Sequence, residues 1–551
     1  VTGVQTCALP IYSSAYTVGS AFAGFVTYNS NCVQTHDILS GDIDGDGDMD
    51  ILVQGGNAAA LHINAASLSV VTTNPTRNAP SAIANSAVAL TYSQSMTTAT
   101  ASVPALNIWG GFSGYKTGGT RSVAGSTVTA NVGGFRPGEQ VWVTHKNAQS
   151  TANINAKPYV YGFTAKAGVG PATFSQTSTP IVGADARTVA SADFDGDGDL
   201  DLAVGSPAQV DILLNDGTGA FTTGSPILSG SLGLLQPWTV TAGDFNNDGF
   251  PDLAVTGTGG SSAVYILLNN ANGTGTFTVS SNYVTGIGQC WHLTSADIDG
   301  DGDLDLLVAN TTGTTVNILL NNGAGTFTAG ANLTPTFGSN PRCVAVADFD
   351  NDGDLDLAVG NITNYVNIWL NNGNGTFTAA PDITTGLSSP VFVAAGDLNA
   401  DGAVDLAIVN AGSTTVSVFT NSGAGVFTQA LGSPFSTFST NPVWVSLEDF
   451  DGNGTLDIAT VNYAGTNISI LRNTGSASFS NITTYPALNA PNYLAAGDFD
   501  GDGDIDVATA NSGSNNVSIL MNNGAGVFSA AVNYAVGTSP RGISCGDFNG
   551  D

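Results

Sequence analysis

One nine-residue pattern, D-x-[DN]-x-[DN]-G-x-x-D, recurs along this chain at a spacing that hardly changes. Complete copies start at Asp193, Asp244, Asp297, Asp348, Asp397, Asp449 and Asp498, and a further one opens at Asp547. The intervals are 51, 53, 51, 49, 52, 49 and 49 residues. One more complete copy starts at Asp42, 151 residues upstream of the series. Each repeat has the same internal order: an entering strand such as CVAVADF (343–349), the motif, a second strand reading LDLAV, a third such as VNILLNN (316–322), and a Gly-rich turn into a fourth, as in GAGTFTAG (323–330). Four strands in about fifty residues is the size of a propeller blade, and one blade cannot bury both faces alone, so neighbours must stack into a ring. The expectation is an all-β chain containing a seven-bladed β-propeller. GPATFSQTSTPI (170–181) reads as the end of a repeat that can supply an outer strand to close the ring; eight blades is the alternative, because an eighth motif opens at Asp547 where the sequence is cut. The Phe of the fourth strand (Phe221, Phe327, Phe377, Phe427, Phe479, Phe528) is expected in the core between blades.

The same pattern carries chemistry. Oxygens at positions 1, 3 and 5, a main-chain carbonyl at 7 and a carboxylate at 9 can wrap one hard cation, and calcium accepts six to eight such ligands. Gly at position 6 permits the sharp turn. The candidate calcium ligands are Asp42, Asp44, Asp46, Asp48 and Asp50; Asp193, Asp195, Asp197, Asp199 and Asp201; Asp244, Asn246, Asp248, Phe250 and Asp252; and Asp297, Asp299, Asp301, Asp303 and Asp305. The later loops give Asp348, Asp350, Asp352, Asp354 and Asp356; Asp397, Asn399, Asp401, Ala403 and Asp405; Asp449, Asp451, Asn453, Thr455 and Asp457; and Asp498, Asp500, Asp502, Asp504 and Asp506. Position 12, a Glu in helix-flanked calcium loops of the EF-hand type, is Val204, Val255, Val308 or Val359 here, and the motif runs into a strand. The closing contact therefore falls to the Asp at position 9. Asn246, Asn399 and Asn453 each replace one carboxylate, so those three loops are expected to bind calcium more weakly.

Of 43 acidic residues, 36 lie inside the motif, so a net charge of -32 reads as many small cation sites rather than as an acidic tail. Such a chain repels nucleic acid and anionic membranes. No run of about 18 apolar residues exists to span a bilayer. Five cysteines make no disulfide framework; Cys290 and Cys343, on equivalent strands, are the one pairing to consider.

Residues 73–168 break the pattern, with seven of the eleven basic residues of the chain and one acid, Glu139. VALTYSQSM and FRPGEQVWVT, with turn signals about ten residues apart, suggest a β-sandwich. They resemble the bacterial Ig-like domain of S-layer proteins. The loops followed by DLAV and NNGAGTF resemble the FG-GAP/VCBS repeat family, whose relatives form the integrin α-chain propeller. That resemblance implies calcium in loops on one face, partner binding on the opposite face and a secreted or cell-surface setting. The first eleven residues, VTGVQTCALPI, resemble translated adapter sequence and are set aside. The domain reading is a single repeat at 12–72, the Ig-like sandwich at 73–168 and the propeller at 169–551, in a fragment of metagenomic type.

Six residues before each motif stand Arg187, Trp238, Trp291, Arg342, Val391, Val443, Asn492 and Arg541. This variable position should ring the mouth of the central channel, and Trp and Arg there suit a carbohydrate or protein partner. The competing expectation is that these side chains only plug the channel. Among four His, His292 beside Trp291 is the one that could join a ligand rim. No carboxylate pair, HExxH or nucleophile elbow stands outside the loops, so the chain is expected to be a non-catalytic adhesion or ligand-binding scaffold. The alternatives are the propeller part of a larger secreted polysaccharide-degrading enzyme, or a purely structural surface module.

Overall fold

The computed structural model describes residues 182–546 apart from 233–235, 259–261, 287–288, 336–337, 501 and 503, together with Phe548. Upstream it describes Phe174, Pro180 and separate strands and turns between positions 26 and 164. The candidate ligands Asp42, Asp44, Asp46 and Asp48 lie outside the described residues, and Asp50 is described only as strand backbone.

From residue 188 onward the described residues form seven successive antiparallel sheets, each with four strands ordered as in the sequence; in the first and the fifth a short extra strand, Ile227–Leu228 or Phe435–Ser436, also pairs with the third strand. We number them unit 1 (188–223), unit 2 (236–286), unit 3 (290–329), unit 4 (341–379), unit 5 (390–429), unit 6 (442–486) and unit 7 (491–535). Unit 4 is typical, with strands Pro341–Ala347, Asp356–Asn361, Tyr365–Asn371 and Phe377–Ala379. The first strands of consecutive units lie against one another, so they form the innermost layer.

The second strand explains why the units stack. In units 3 to 7 all six of its residues are buried, as in Asp356–Asn361. A strand covered on both faces needs a continuous apolar run, and the LDLAV text supplies it. The core between units 4 and 5 joins Phe349, Val366 and Ile368 to Leu406, Ile408 and Phe419. Burying each such side chain contributes about 1.5–3 kcal/mol. The fourth-strand Phe residues do enter these cores: Phe327, Phe479 and Phe528 are buried. Position 2 of the preceding unit's loop supplies a ring partner where it is Phe, with centroids 5.7 Å apart for Phe245–Phe327 and 5.4 Å for Phe349–Phe427; Phe479, behind Leu398, meets Phe435 instead at 5.1 Å.

Both ends of the series meet residues from elsewhere in the chain. Phe548 packs on Phe221 of unit 1 at 5.8 Å, and Ser544 Oγ lies 3.0 Å from Ser191 Oγ. Phe174 packs on Phe499 of unit 7 at 5.8 Å and on Tyr534 at 5.9 Å. Cys290 and Cys343 are both buried, and no disulfide joins them.

Upstream, Val26–Asn29, Ala58–His62, Asp50–Gly55 and Ile38–Gly41 make one four-stranded sheet. Between 70 and 164 there are two more. One joins Val70–Asn74, Val88–Tyr92, Thr127–Asn131 and Thr120–Ala124; the other joins Tyr159–Thr164, Gln140–His145, Leu106–Gly110 and Gly114–Tyr115. Val88, Leu90, Leu106, Ile108, Val141 and Val143 are fully buried, which is the alternation expected of sheets with one covered face.

Candidate metal centre

Each motif turns the chain from the first strand into the second. Position 1 starts the turn by accepting main-chain N–H groups: Asp348 Oδ1 takes that of Asp352 at 3.1 Å and Oδ2 that of Gly353 at 3.0 Å. Position 5 accepts the N–H of position 7, as Asp352 Oδ1 does from Asp354 at 3.0 Å. Gly353 has φ +89°, and the matching glycines Gly198, Gly249, Gly302, Gly402 and Gly454 lie between +86° and +107°. A Cβ on Gly198 would meet nothing within 4 Å, so the glycine serves the backbone angle rather than space.

In five of the seven described loops, three carboxylates bring an oxygen each within 4.8 Å of one another. They are Asp193, Asp195 and Asp197; Asp297, Asp299 and Asp301; Asp348, Asp350 and Asp356; Asp449, Asp451 and Asp457; and Asp498, Asp500 and Asp506. The loops of Asp244 and Asp397, with Asn246 and Asn399 at position 3, have no such cluster. There the amides point inward at a carboxylate instead: Asn246 Nδ2 donates to Asp248 at 3.0 Å and Asn399 Nδ2 to Asp401 at 2.8 Å. Asn453 differs, because its Nδ2 donates to the Asn473 carbonyl at 2.9 Å, and its loop keeps a cluster.

A hard cation fits these corners. Asp451 Oδ1 is buried with no hydrogen-bond partner. Burial, with Asp352 adding repulsion, raises the Asp350 carboxyl above its ordinary range. Asp195 and Asp500 are raised as well, burial again being the largest cause. Gathered carboxylates that repel one another are what a divalent ion would neutralise. Position 7 has only its carbonyl to give: a Cβ on the turn glycine Gly323 would lie 2.6 Å from Asp303 Oδ2, so that side chain leans on the neighbouring turn. Asp199, Asp354 and Asp504 stand in the same relation to Gly217, Gly373 and Gly524, while Phe250, Ala403 and Thr455 have no carboxylate there.

Position 9 does more than the sequence indicated. Asp201, Asp252, Asp305, Asp356, Asp405, Asp457 and Asp506 are all fully buried. Asp356 Oδ2 accepts the N–H of Phe349 and Oδ1 that of Asn371, both at 2.7 Å. The other six repeat the arrangement, as in Asp305 with Ile298 and Asn321. This carboxylate therefore ties the start of the loop to the end of the third strand. Burial pushes these groups up against the hydrogen bonds, Asp305 and Asp356 to about 8 and Asp201, Asp252, Asp405, Asp457 and Asp506 to about 7.

The third-strand Asn that meets position 9 is the residue sequence reading missed. Asn371 Nδ2 donates to the Ile298 carbonyl of the preceding unit at 2.6 Å, and Asn269, Asn321, Asn421, Asn473 and Asn522 each reach back likewise. Asn215 of unit 1 does the same with the Phe548 carbonyl, at 2.6 Å. The signal was present as the recurrent N that ends "ILLN", which reads equally well as a turn residue.

At the opposite end of the first strands lie the rim candidates. Register slips at Trp238, Trp291, Arg342, Val391, Val443 and Asn492, each of which occupies a β-bulge. A bulged residue is excused from the ladder, which is why this position varies while its neighbours repeat. Arg187 lies 4.4 Å over the Trp238 ring, Trp238 meets Trp291 edge-on at 4.5 Å, and Arg342 lies 3.6 Å over Trp291. Asn492 turns aside to Ser512 Oγ at 2.6 Å. The next residue inward adds a second stack: Phe392 to Trp444 at 3.8 Å and Trp444 to Tyr493 at 4.3 Å. His292 faces Phe392 two units away at 6.0 Å, and enclosure pushes it down to about 4. Deeper in, burial raises Glu448 to about 8 and Cys545 to about 11. Neither was marked by its neighbours in sequence.

Comparison with known proteins follows this geometry. The model of the FG-GAP-like repeat matches in seven overlapping segments that together span residues 193–551, about two-thirds of the chain. No curated protein matches significantly in sequence. Solved structures with a similar fold include an Agrocybe aegerita lectin that recognises non-reducing terminal N-acetylglucosamine, at 22% identity over 63% of this chain and 93% of that one, with TM-score 0.44. A Pseudomonas aeruginosa periplasmic gluconolactonase aligns at 17% identity over 71% and 98%, with TM-score 0.40. A putative 6-phosphogluconolactonase from Bacteroides fragilis aligns at 14% over 60% and 92%, with TM-score 0.43. With a described loop in each of seven matched repeats, this chain belongs to the FG-GAP-like repeat family.

Proposed function

We propose that the chain is a calcium-loaded β-propeller that serves outside the cell, secreted or at the cell surface, as a non-catalytic scaffold for adhesion or ligand binding. The observation that carries the metal is the carboxylate cluster with a buried, undonated oxygen at Asp451. Positions 1, 3, 5 and 9 of each loop would hold the ion by side chains and position 7 by its carbonyl. Bound calcium would supply the positive charge that the clustered carboxylates lack. The chain's own residues do the rest: position 9 and the third-strand Asn lock each unit to itself and to its neighbour. Calorimetric titration of the chelated protein with Ca²⁺ and with Mg²⁺ tests this. Several calcium ions per chain, with a higher melting temperature, are expected; indifference to both ions would sink the reading.

Eight blade positions are part of the proposal. Phe174 sits on Phe499 and Tyr534 as Phe327 sits on Phe245 and Tyr283, with its N–H 3.4 Å from the Tyr534 hydroxyl against 2.7 Å in the Phe327 pair. Phe548 sits on Phe221 as Phe194 sits on Phe277. A blade position between units 7 and 1 would draw its inner edge from the chain near Ser544 and Phe548 and its outer edge from the chain near Phe174. The paired sheets between 70 and 164 fit an Ig-like sandwich carried beside it. No catalytic role is proposed: glycoside hydrolysis needs a carboxylate pair, and among the described residues burial alone, with no second carboxylate, shifts Glu448.

A further inference from the structure

We propose that the channel mouth opposite the metal loops is a binding site for the carboxylate of an acidic sugar, with Arg342 as its anchor. The proposal deepens the scaffold reading above and rests on it.

Charge placement comes first. Outside residues 73–168 the chain has only four basic residues, Arg187, Arg342, Arg472 and Arg541, in a molecule of net charge -32. Three of the four converge on this mouth. Scattered surface charge would not concentrate so in a chain this poor in cations.

The three are not equivalent. Arg187 is already neutralised, its Nη2 lying 2.7 Å from Asp185 Oδ2. Arg541 reaches the same carboxylate only at 3.7 Å, and its Nε is buried with no hydrogen-bond partner. Arg342 is half-buried, and among the described residues no carboxylate or carbonyl pairs with its guanidinium, which lies 3.6 Å over the Trp291 ring. A guanidinium withdrawn from water without a counter-ion is unfavourable, and an aromatic face compensates only in part. Its fork of N–H groups matches a carboxylate in two-point geometry.

The surroundings select the body of the ligand. Arg342 and Arg541 are both near enough to Tyr493 to act on it electrostatically. Tyr493 is 37% exposed, which leaves part of the ring open to a ligand. It continues the stack through Trp444 to Phe392. A sugar acid presents a carboxylate and an apolar C–H face on one rigid ring, matching a guanidinium beside an aromatic shelf. An Asp or Glu side chain presents the carboxylate without the face.

The test is binding of a glucuronate-terminated disaccharide to the calcium-loaded protein, read by quenching of tryptophan fluorescence. Cellobiose, acetate and an acetylated, amidated glutamate peptide are the comparison probes. The expected result is saturable binding of the acid disaccharide, at least tenfold weaker in Arg342→Gln and weakened in Arg541→Gln. Arg472→Gln, whose Nη1 instead donates to the Ala525 carbonyl at 2.9 Å, should bind as the parent does. If Arg342→Gln failed to fold, Arg541→Gln would carry the comparison alone. Equal binding of cellobiose, binding of the peptide but not the sugar, or affinity indifferent to both Arg substitutions would each overturn the assignment. A neutral saccharide that binds in a calcium-dependent manner while ignoring Arg342 would do so too, yet leave the scaffold reading standing. Absence of any glycan or protein ligand would remove both.

Discussion

The two ends of the first strands obey opposite rules. At the metal end, unit after unit repeats the same turn, with position 9 buried and bonded to the same two N–H groups, from Phe194 and Asn215 in unit 1 to Phe499 and Asn522 in unit 7. At the other end the bulged residue is Trp, Arg, Val or Asn, and its contacts run sideways or across the channel rather than along the ladder. The difference teaches where each kind of constraint lives. A residue whose polar groups are consumed by main-chain partners cannot change without leaving them unmet. A residue in a bulge has no such debts and is open to specialise.

The sharpest way to break this contrast is at position 9. Asp356→Ala should cost about 1–3 kcal/mol for each of the two buried N–H groups it abandons, those of Phe349 and Asn371. Urea unfolding at saturating calcium measures it, and a loss below about 1 kcal/mol would show that the tie between strands is not what fixes the loop end.

Calcium removal comes next. Each site filled at 100 Kd adds about 2.7 kcal/mol. The stripped protein should also respond to pH in a set direction. Position 9 carboxyls lie at about 7 to about 8 when folded, against 3.8 for the ordinary group. The folded chain then binds more protons than the unfolded chain across that window, so stability falls as pH rises from about 4 to about 8. Melting temperatures in chelator at several pH values test the sign; a flat or rising curve contradicts it. Calcium should abolish the slope.

Smaller effects separate the loops from each other. Asp350→Asn should convert a clustered loop into one like that of Asn399, weakening calcium at that site alone by about tenfold, roughly 1.4 kcal/mol. Site-resolved titration that found the Asn246 and Asn399 loops filling before the Asp348 loop would reverse the order expected here. At the far end, Phe438 is 70% exposed, and Phe438→Ser should shift stability by no more than about 0.5 kcal/mol.

Much of the loop end was legible as text. The spacing of Asp348, Asp350, Asp352 and Asp356 dictates which oxygens can meet, and Gly353 dictates the turn, because local chain geometry alone brings residues so near in sequence together. Phe327 could be assigned to a core from its repetition, since a face that recurs must be buried by the next copy. The sequence could not say that Asp356 is spoken for by Phe349 and Asn371, because hydrogen bonds across three strands depend on register. Nor could it say that Arg342 lies over Trp291, that Arg342 and Arg541 both act on Tyr493, or that Glu448 and Cys545 come near enough to interact. Those neighbours are 48 to 151 residues apart, and only the stacking of the units brings them together. The meeting of Phe548 with Phe221 and of Phe174 with Phe499 belongs to the same class. The residues themselves determined the repeating unit and its taste for a hard cation. The tertiary structure decided how the units join and what faces the channel, because those contacts depend on register and ring curvature that no local pattern encodes.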